Sequence, residues 1–258
     1  MAWYTAIFLG LVQGLAEFLP ISSNGHLLLF EHLFGVSDGG LLLTLLLHLA
    51  TLLAVVVVYR HRLWHLLRHP WQAETVRLGL ATVITCLLVV LFHDVIDQCF
   101  TIATLPYAFL LAGMYLLLPT IFLRRSQVRS NETNKLRFWL QPIVMGIAQG
   151  VAVVPGLSRS GLTITTGRLS GMSSIAATDF SFLMSIPIIL ASLVYELVRG
   201  GSVQSLGVGN LVLAFVTAFM AGITAIQLML KITRKIDLRW FAFYLLLLGG
   251  GLLLGRWW

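Results

Sequence analysis

The chain has 258 residues, of which 58% are hydrophobic and only 10% are charged, and its formal net charge is +7. This composition excludes a water-soluble globular domain and predicts an integral membrane protein. We expect the positive charge to lie in loops that contact anionic lipid, so no nucleic-acid partner is predicted. Cys86 lies in an apolar run and Cys99 in a short loop, and both are expected to be free thiols.

The first predicted element is a segment that occurs twice. The sequence GLVQGLAEFLPISSNGHLLL from Gly10 returns as GIAQGVAVVPGLSRSGLTIT from Gly146. Both copies are apolar but are interrupted in the middle by Pro, Gly and Ser. A broken helix is tolerated in a membrane only where protein or a water-filled cavity covers the freed backbone. Each copy is therefore predicted to enter the membrane and turn back as a re-entrant helical hairpin.

Long apolar stretches follow each repeat copy, and a stretch of about 20 apolar residues is enough to cross the hydrocarbon core of a bilayer. The predicted spans are 40–60, 75–93, 104–123, 176–198, 209–231 and 239–257. The predicted fold is an all-α polytopic membrane protein with about six transmembrane helices and two re-entrant hairpins. A single membrane domain is expected over residues 1–258.

Lys and Arg are concentrated in three loops, which the positive-inside rule assigns to the cytoplasm. These basic residues are Arg60, Arg62, Arg68, Arg77, Arg124, Arg125, Arg129, Lys135, Arg137, Lys231, Arg234, Lys235 and Arg239. The loop 93–105 has no Lys or Arg. With three spans in each half, the halves at about 1–124 and 137–258 take opposite orientations. That is an inverted-topology repeat, which is typical of transporters and has its functional site where the interrupted helices meet.

Some polar residues occur in the first copy alone. If a helix begins near Ser22, His26 lies on the same face as Ser22 and Ser23 and reaches either hydroxyl. Gln13 and Glu17 also share a helix face. Ionisable side chains at membrane depth favour a functional role. The structural alternative is that the two serines cap a helix and that His26 donates to a carbonyl.

The second copy has an arginine between two serines at a predicted helix start. Free backbone N–H groups and the positive end of the helix attract anions there, and arginine binds phosphate through two parallel hydrogen bonds. The residues predicted to bind phosphate are Ser158, Arg159, Ser160, Gly161 and Thr163, together with Ser22 of the first copy. An alternative, compatible role for Arg159 is an ion pair with Glu17 that locks the two copies together.

Two motifs carry a family resemblance: QGLAEFLPISSNGHL from Gln13 and PGLSRSG from Pro155. They resemble the signature motifs of bacterial undecaprenyl-diphosphate phosphatases, the bacitracin-resistance family, and the similarity spans essentially the whole chain. The resemblance implies removal of the terminal phosphate from undecaprenyl diphosphate and related prenyl diphosphates. It also implies a role in cell-wall synthesis and bacitracin resistance, a location in the bacterial cytoplasmic (inner) membrane, and a divalent metal, Mg²⁺ or Ca²⁺.

In the mechanism that we expect, Glu17 and Gln13 hold the metal. Many family members have Glu where this chain has Gln13. Ser23 attacks the terminal phosphorus and His26 takes its proton, while Arg159 stabilises the charge of the transition state. In a rival version, His26 or a metal-bound water acts directly and Ser23 is only a ligand. The polar tip of the first copy is expected to face the periplasm.

The main alternative function is a transporter of a small anion or of the lipid carrier itself. The combination of Glu17, Ser23, His26 and Arg159 favours an enzyme, because translocation needs no nucleophile. A dual role and a homodimer both stay open at this stage. His48 is expected to pack or hydrogen-bond within its span, whereas His93 and Asp94 border the outer face and could line an entrance.

Overall fold

The computed structural model describes residues 1–35, 40–123, 135–199, 207–235 and 238–255. These residues form helices and no strands. The helices are α1 (Trp3–Phe18), α2 (Ser23–Leu33), α3 (Gly40–Arg68), α4 (Ala73–Leu91), α5 (His93–Gln98), α6 (Leu105–Phe122), α7 (Lys135–Val151), α8 (Arg159–Leu169), α9 (Ser174–Arg199), α10 (Val208–Lys235) and α11 (Arg239–Gly255). A short 3₁₀ turn, Ile102–Thr104, precedes α6, and both cysteines are free thiols.

Within these ranges, five helices are long and apolar enough to cross a membrane, which confirms a multi-pass membrane protein. They are α3, α4, α6 with its preceding turn, α9 and α10. The sixth predicted span, 239–257, corresponds to α11, an apolar helix of 17 residues that is shorter than the other five. Residues 256–258, where that span was expected to end, lie outside the described residues.

Small residues let the helices that carry the repeated segment approach their neighbours closely. A methyl group at Gly10 of α1 would lie 2.6 Å from the carbonyl oxygen of Ala214 in α10, and one at Gly146 of α7 would lie 2.7 Å from that of Ala81 in α4. In membranes, close packing of this kind stabilises helix contacts, because burial of apolar side chains between helices gains little over lipid. Each repeat copy is thus supported by a neighbouring long helix.

An aromatic contact fixes the end of α1, where the predicted carboxylate lies. Phe18 is fully buried and its ring packs edge-on against Phe182 of α9, with the ring centroids 5.4 Å apart. Edge-to-face pairs add about 0.5–1.5 kcal/mol beyond the buried area. Glu17, the preceding residue, is thereby held inside the protein and away from the lipid.

Ionic contacts cluster near the predicted cytoplasmic ends of α3, α4 and α9. Tyr59 donates to Asp179 at 2.7 Å, and Arg62 pairs with Glu74 at 2.5 Å and lies 3.8 Å from Asp179. These contacts tie the three helices together at the end where the sequence places its positive charge. Arg124, Arg125 and Arg129 of the predicted cytoplasmic loops lie outside the described residues, as do the side chains of Arg234 and Lys235.

Candidate active site

Each copy of the repeated segment forms two helices separated by a short break, and a serine caps the helix after each break. The Ser22 hydroxyl accepts a hydrogen bond from the Gly25 N–H at 3.4 Å, and the Ser158 hydroxyl accepts one from the Gly161 N–H at 3.1 Å. A serine in this position satisfies one of the free N–H groups at a helix start. The capping alternative considered for Ser22 is therefore observed.

The two breaks contact each other directly. The Gly156 N–H donates to the Ser22 hydroxyl at 3.1 Å, and the Ser160 hydroxyl donates to the Leu19 carbonyl at 2.9 Å. Ser22 has a φ of 73°, which is unfavourable for a residue with a side chain. Strained residues of this kind persist where surrounding contacts hold them, and they cluster at functional sites. The two copies thus form one centre in the protein interior.

Gly25 makes this close approach possible, which leads to a first prediction. A methyl group there would lie 2.8 Å from the Gly156 Cα and 2.8 Å from the Phe109 ring. We expect Gly25→Ala to push the breaks apart and to lower turnover by about 100-fold, because small displacements of reacting groups are costly. Steady-state kinetics in detergent measures this effect. Gly79→Ala is the control, since a methyl group there meets nothing within 4 Å; loss of activity in both variants would contradict the explanation.

Glu17 lies at the centre of the contact between the two breaks, and only 6% of its side chain is exposed. Its Oε1 atom pairs with Arg159. Its Oε2 atom accepts hydrogen bonds from the Ser23 hydroxyl at 2.6 Å and from the Gln13 amide at 3.0 Å. A buried carboxylate needs such partners to offset the loss of hydration. The ion pair considered as an alternative from the sequence is thus present.

Arg159 is positioned to bind a second anion. One of its terminal nitrogens, Nη2, is engaged by Glu17, whereas the other, Nη1, is buried and has no hydrogen-bond partner among the described residues. A buried charged donor without an acceptor is costly. An anion that enters beside Arg159 would satisfy this donor.

His26 does not contact Ser23, which differs from the expectation. Its Nδ1 atom donates to the Ser22 carbonyl at 2.7 Å, and its Nε2 atom lies 2.6 Å from the hydroxyl of Tyr244 in α11. Nδ1 therefore carries the proton, and Nε2 accepts from Tyr244. The ring is also stacked on Tyr244, with the ring centroids 5.7 Å apart. The carbonyl-donor alternative is observed for His26, and the hydroxyl of Ser23 is bonded to Glu17 instead.

Two residues predicted to bind phosphate lie away from the centre. The Thr163 hydroxyl is fully buried, donates to the Arg159 carbonyl at 2.7 Å and lies 2.6 Å from the Ser181 hydroxyl of α9. The Gly161 N–H is used by the Ser158 cap. Both groups are thus already hydrogen-bonded within the protein, so an anion would find neither of them free.

A cavity of about 320 Å³ adjoins the contact between the two breaks. Its polar lining comprises Glu17, Ser22, Ser23, Asn24, His48, Gln149, Ser158, Arg159 and Ser160. The cavity also reaches Asp97 in α5 and the end of α9 at Tyr195 and Glu196. It therefore connects the buried centre with the end of the molecule at which the loop 93–105 lies.

The mouth differs in detail from the predicted entrance. Asp97, rather than Asp94, lines the cavity, and the Asp94 side chain is 96% exposed. His93 is not a lining residue, but it contacts the Tyr195 hydroxyl and lies 3.7 Å from Asp97. The entrance was thus predicted in the right segment, although the residues that line it are different.

Sequence reasoning missed one histidine in the cavity. His48 bonds the Thr44 carbonyl within its own helix at 2.9 Å, as expected, but its Nε2 atom also lies 3.1 Å from the Asn24 side-chain oxygen. This contact is a hydrogen bond if Nε2 carries a proton, or if the Asn24 amide is turned so that its NH₂ group faces Nε2. No motif in the sequence links the two residues, because they lie on different helices.

A family model described as "Bacitracin resistance protein BacA" matches residues 6–251. The chain belongs to the BacA family. Both motifs that carried the resemblance lie inside the matched range, as do both helix breaks and all residues that line the cavity.

Three relatives of this BacA family member have similar names. A protein named undecaprenyl-diphosphatase from Carboxydothermus hydrogenoformans is 36% identical over 251 residues, which cover 95% of this chain and 94% of the relative. Undecaprenyl-diphosphatase 1 from Shouchella clausii is 38% identical over 261 residues, covering 95% and 93%. An undecaprenyl-diphosphatase from Treponema denticola is 35% identical over 273 residues, covering 100% and 98%.

The residues present fit a divalent metal through Glu17, whose carboxylate lines the cavity. Gln13 does not line it, and its amide donates to Glu17, so this geometry makes Gln13 a support for the carboxylate. The Gln13 oxygen is buried and has no hydrogen-bond partner among the residues that the structure describes. Because Mg²⁺ is commonly held by one or two carboxylates together with substrate phosphates and water, a site with Glu17 as its one carboxylate is compatible with this metal.

Proposed function

We propose that this protein hydrolyses undecaprenyl diphosphate to undecaprenyl phosphate and inorganic phosphate, and so returns the lipid carrier to cell-wall synthesis. The observation that carries the proposal is the cavity in which the Glu17–Ser23 hydrogen bond and the half-paired Arg159 guanidinium lie together. Membership of the BacA family and the names of the relatives supply the substrate. Related prenyl diphosphates are expected to be accepted as well.

The Glu17–Arg159 pair would be the resting state of this site. An incoming diphosphate offers several anionic oxygens to Arg159 and competes with Glu17 for the guanidinium. Nη1 is already available, so the terminal phosphate can bind before the pair opens. Once Arg159 turns to the substrate, the Oε1 atom of Glu17 is free to hold a divalent metal, while Oε2 still accepts the Ser23 hydrogen bond.

Ser23 would then attack the terminal phosphorus, and its proton would pass to Glu17, which already accepts the Ser23 hydrogen bond. A bond forms between the Ser23 oxygen and phosphorus, and the bridging bond to undecaprenyl phosphate breaks. Water subsequently hydrolyses the phosphoserine and releases inorganic phosphate. Arg159 and the Ser158 and Ser160 hydroxyls would stabilise negative charge on the phosphoryl oxygens.

Glu17 would hold a Mg²⁺ or Ca²⁺ ion through Oε1 and take the Ser23 proton on Oε2, and the ion would supply positive charge against the diphosphate. In this proposal, His26 is a positioning residue: through Ser22 and Tyr244 it fixes the start of α2, and thus the position of Ser23. This differs from the expectation that His26 accepts the Ser23 proton. The reason is that both ring nitrogens already have partners.

The proposed fold is an inverted-topology repeat with two re-entrant hairpins, α1–α2 and α7–α8. Equivalent glycines support it: Gly10 and Gly14 face α10, while Gly146 and Gly150 face α4. The first helix of each copy therefore packs against a long helix of the other half, as expected for two inverted halves.

The cavity reaches the loop 93–105, which lacks basic residues, and this supports a periplasmic site in the bacterial inner membrane. A homodimer stays a prediction.

The proposal is tested by incubating the purified protein with undecaprenyl diphosphate and Mg²⁺ and measuring phosphate release. We expect metal-dependent release from the parent protein and a loss of about 1,000-fold in Ser23→Ala, because an activated nucleophile is removed. Substantial activity in Ser23→Ala would favour direct attack by water. If the parent releases no phosphate, the function is transport of the lipid carrier or of a small anion, which uptake into proteoliposomes would detect.

A further inference from the structure

A second cavity of about 680 Å³ lies between α6, α7 and α8. Leu111 of α6, Ile147 and Val151 of α7 and Leu162 of α8 contribute to its lining. Three of these side chains, Leu111, Ile147 and Val151, are 44–57% exposed, so the cavity is a groove that opens to the lipid. We call it the α6–α8 groove.

The polar groups of the α6–α8 groove are already engaged with one another. The Thr166 hydroxyl donates to the Leu162 carbonyl at 2.8 Å and lies 2.9 Å from the Tyr115 hydroxyl, which therefore donates to it. The Ser170 hydroxyl donates to the Gly167 carbonyl at 2.8 Å. A polar ligand would find few free partners here, whereas a hydrocarbon chain needs none.

The α6–α8 groove adjoins the catalytic cavity at one residue. Leu157 lines both cavities and directly precedes Ser158 and Arg159 in the second break. A molecule with its phosphates at Arg159 and its chain across Leu157 would extend into the groove. We infer that the α6–α8 groove binds the isoprenoid chain of the substrate, an inference that rests on the proposed function.

The expected contribution is orientation rather than strong attraction. A prenyl chain that moves from lipid into an apolar groove gains little hydrophobic free energy, because lipid tails are as apolar as the lining. Close packing along the groove instead adds a modest binding energy and restricts the direction of the chain. The effect should therefore grow with chain length and appear in KM.

The test fills the α6–α8 groove with the indole ring of a tryptophan side chain. Ile147→Trp should raise the KM for undecaprenyl diphosphate about fivefold and leave kcat unchanged, which indicates lost substrate binding. Hydrolysis of farnesyl diphosphate, which has three isoprene units, should change much less. The matched control is Leu11→Trp: Leu11 is the equivalent residue of the first repeat copy, 42% exposed against 44% for Ile147, and it does not line the groove.

Equal KM changes in both variants, equal changes for both substrates, or no change in Ile147→Trp would overturn the inference.

A second measurement does not depend on a variant: an undecaprenyl diphosphate analogue with a benzophenone in its chain should label α7 and α8 of the parent protein. A benzophenone phospholipid should label lipid-facing α1 and α7 alike. Preferential labelling of helices other than α6, α7 and α8 by the diphosphate probe would contradict the inference. Absence of phosphate release from either substrate would instead refute the proposed function.

Discussion

Arg159→Ala is expected to lower kcat/KM for undecaprenyl diphosphate by at least about 1,000-fold, the range found for arginines that stabilise a transferred phosphoryl group. Arg159 is the cationic side chain at the contact between the two breaks, and its Nη1 atom has no partner in the described part of the chain. Phosphate release by the purified variant measures the loss. Arg159→Lys should recover only part of the activity, since an ammonium group keeps the charge but not the paired donors.

A loss of folding stability in Arg159→Ala must be distinguished from the loss of catalytic activity. Arg159→Ala leaves Glu17 buried without its cation, and breaking a buried ion pair costs about 3–5 kcal/mol. The variant Glu17→Gln/Arg159→Gln removes both charges and should melt close to the parent protein while remaining inactive. If Arg159→Ala keeps more than a tenth of the parent activity, Arg159 is a structural lock and not the phosphate ligand.

Glu17→Gln is expected to lower kcat by about 100- to 10,000-fold, the usual contribution of a general base. Glutamine has nearly the same shape as glutamate and still accepts the Ser23 hydrogen bond. It cannot take the Ser23 proton, however, and it carries no negative charge to attract a metal ion. The substrate should still bind to Arg159, so KM should change much less than kcat. Single-turnover kinetics separates the two effects.

Glu74→Gln is the control for this substitution. Glu74 is also paired with an arginine, but the pair with Arg62 is 31–46% exposed and does not line the cavity. Pairs of this kind contribute at most about 1 kcal/mol. Activity should be retained in Glu74→Gln; an equal loss in both variants would indicate a general effect of lost charge.

The helices could be predicted well because lipid imposes a simple rule on the sequence. Apolar stretches near the length of the bilayer gave five spans that match helices long enough to cross it. The breaks were predicted from Pro, Gly and Ser, and the serines do cap α2 and α8. The sixth predicted span begins at Arg239, as α11 does, and its last two residues lie outside the described part of the chain.

The site was predicted less completely, since its geometry depends on contacts between distant segments. The sequence placed His26 one turn from Ser23, but the imidazole is hydrogen-bonded to Tyr244 of α11 instead. Thr163 lies near Arg159 in sequence, yet its hydroxyl is hydrogen-bonded to that of Ser181 in α9. In contrast, the Glu17–Arg159 pair was predictable as an alternative, because two opposite charges at membrane depth stabilise each other.

The central claim is that the terminal phosphate of a prenyl diphosphate is removed by this chain. The most direct measurement is hydrolysis of undecaprenyl diphosphate by the purified protein in ¹⁸O-labelled water with Mg²⁺, followed by mass spectrometry of both products. We expect one ¹⁸O atom in inorganic phosphate and none in undecaprenyl phosphate, since Ser23 and then water attack the terminal phosphorus. Label in undecaprenyl phosphate, or no hydrolysis at all, would contradict it.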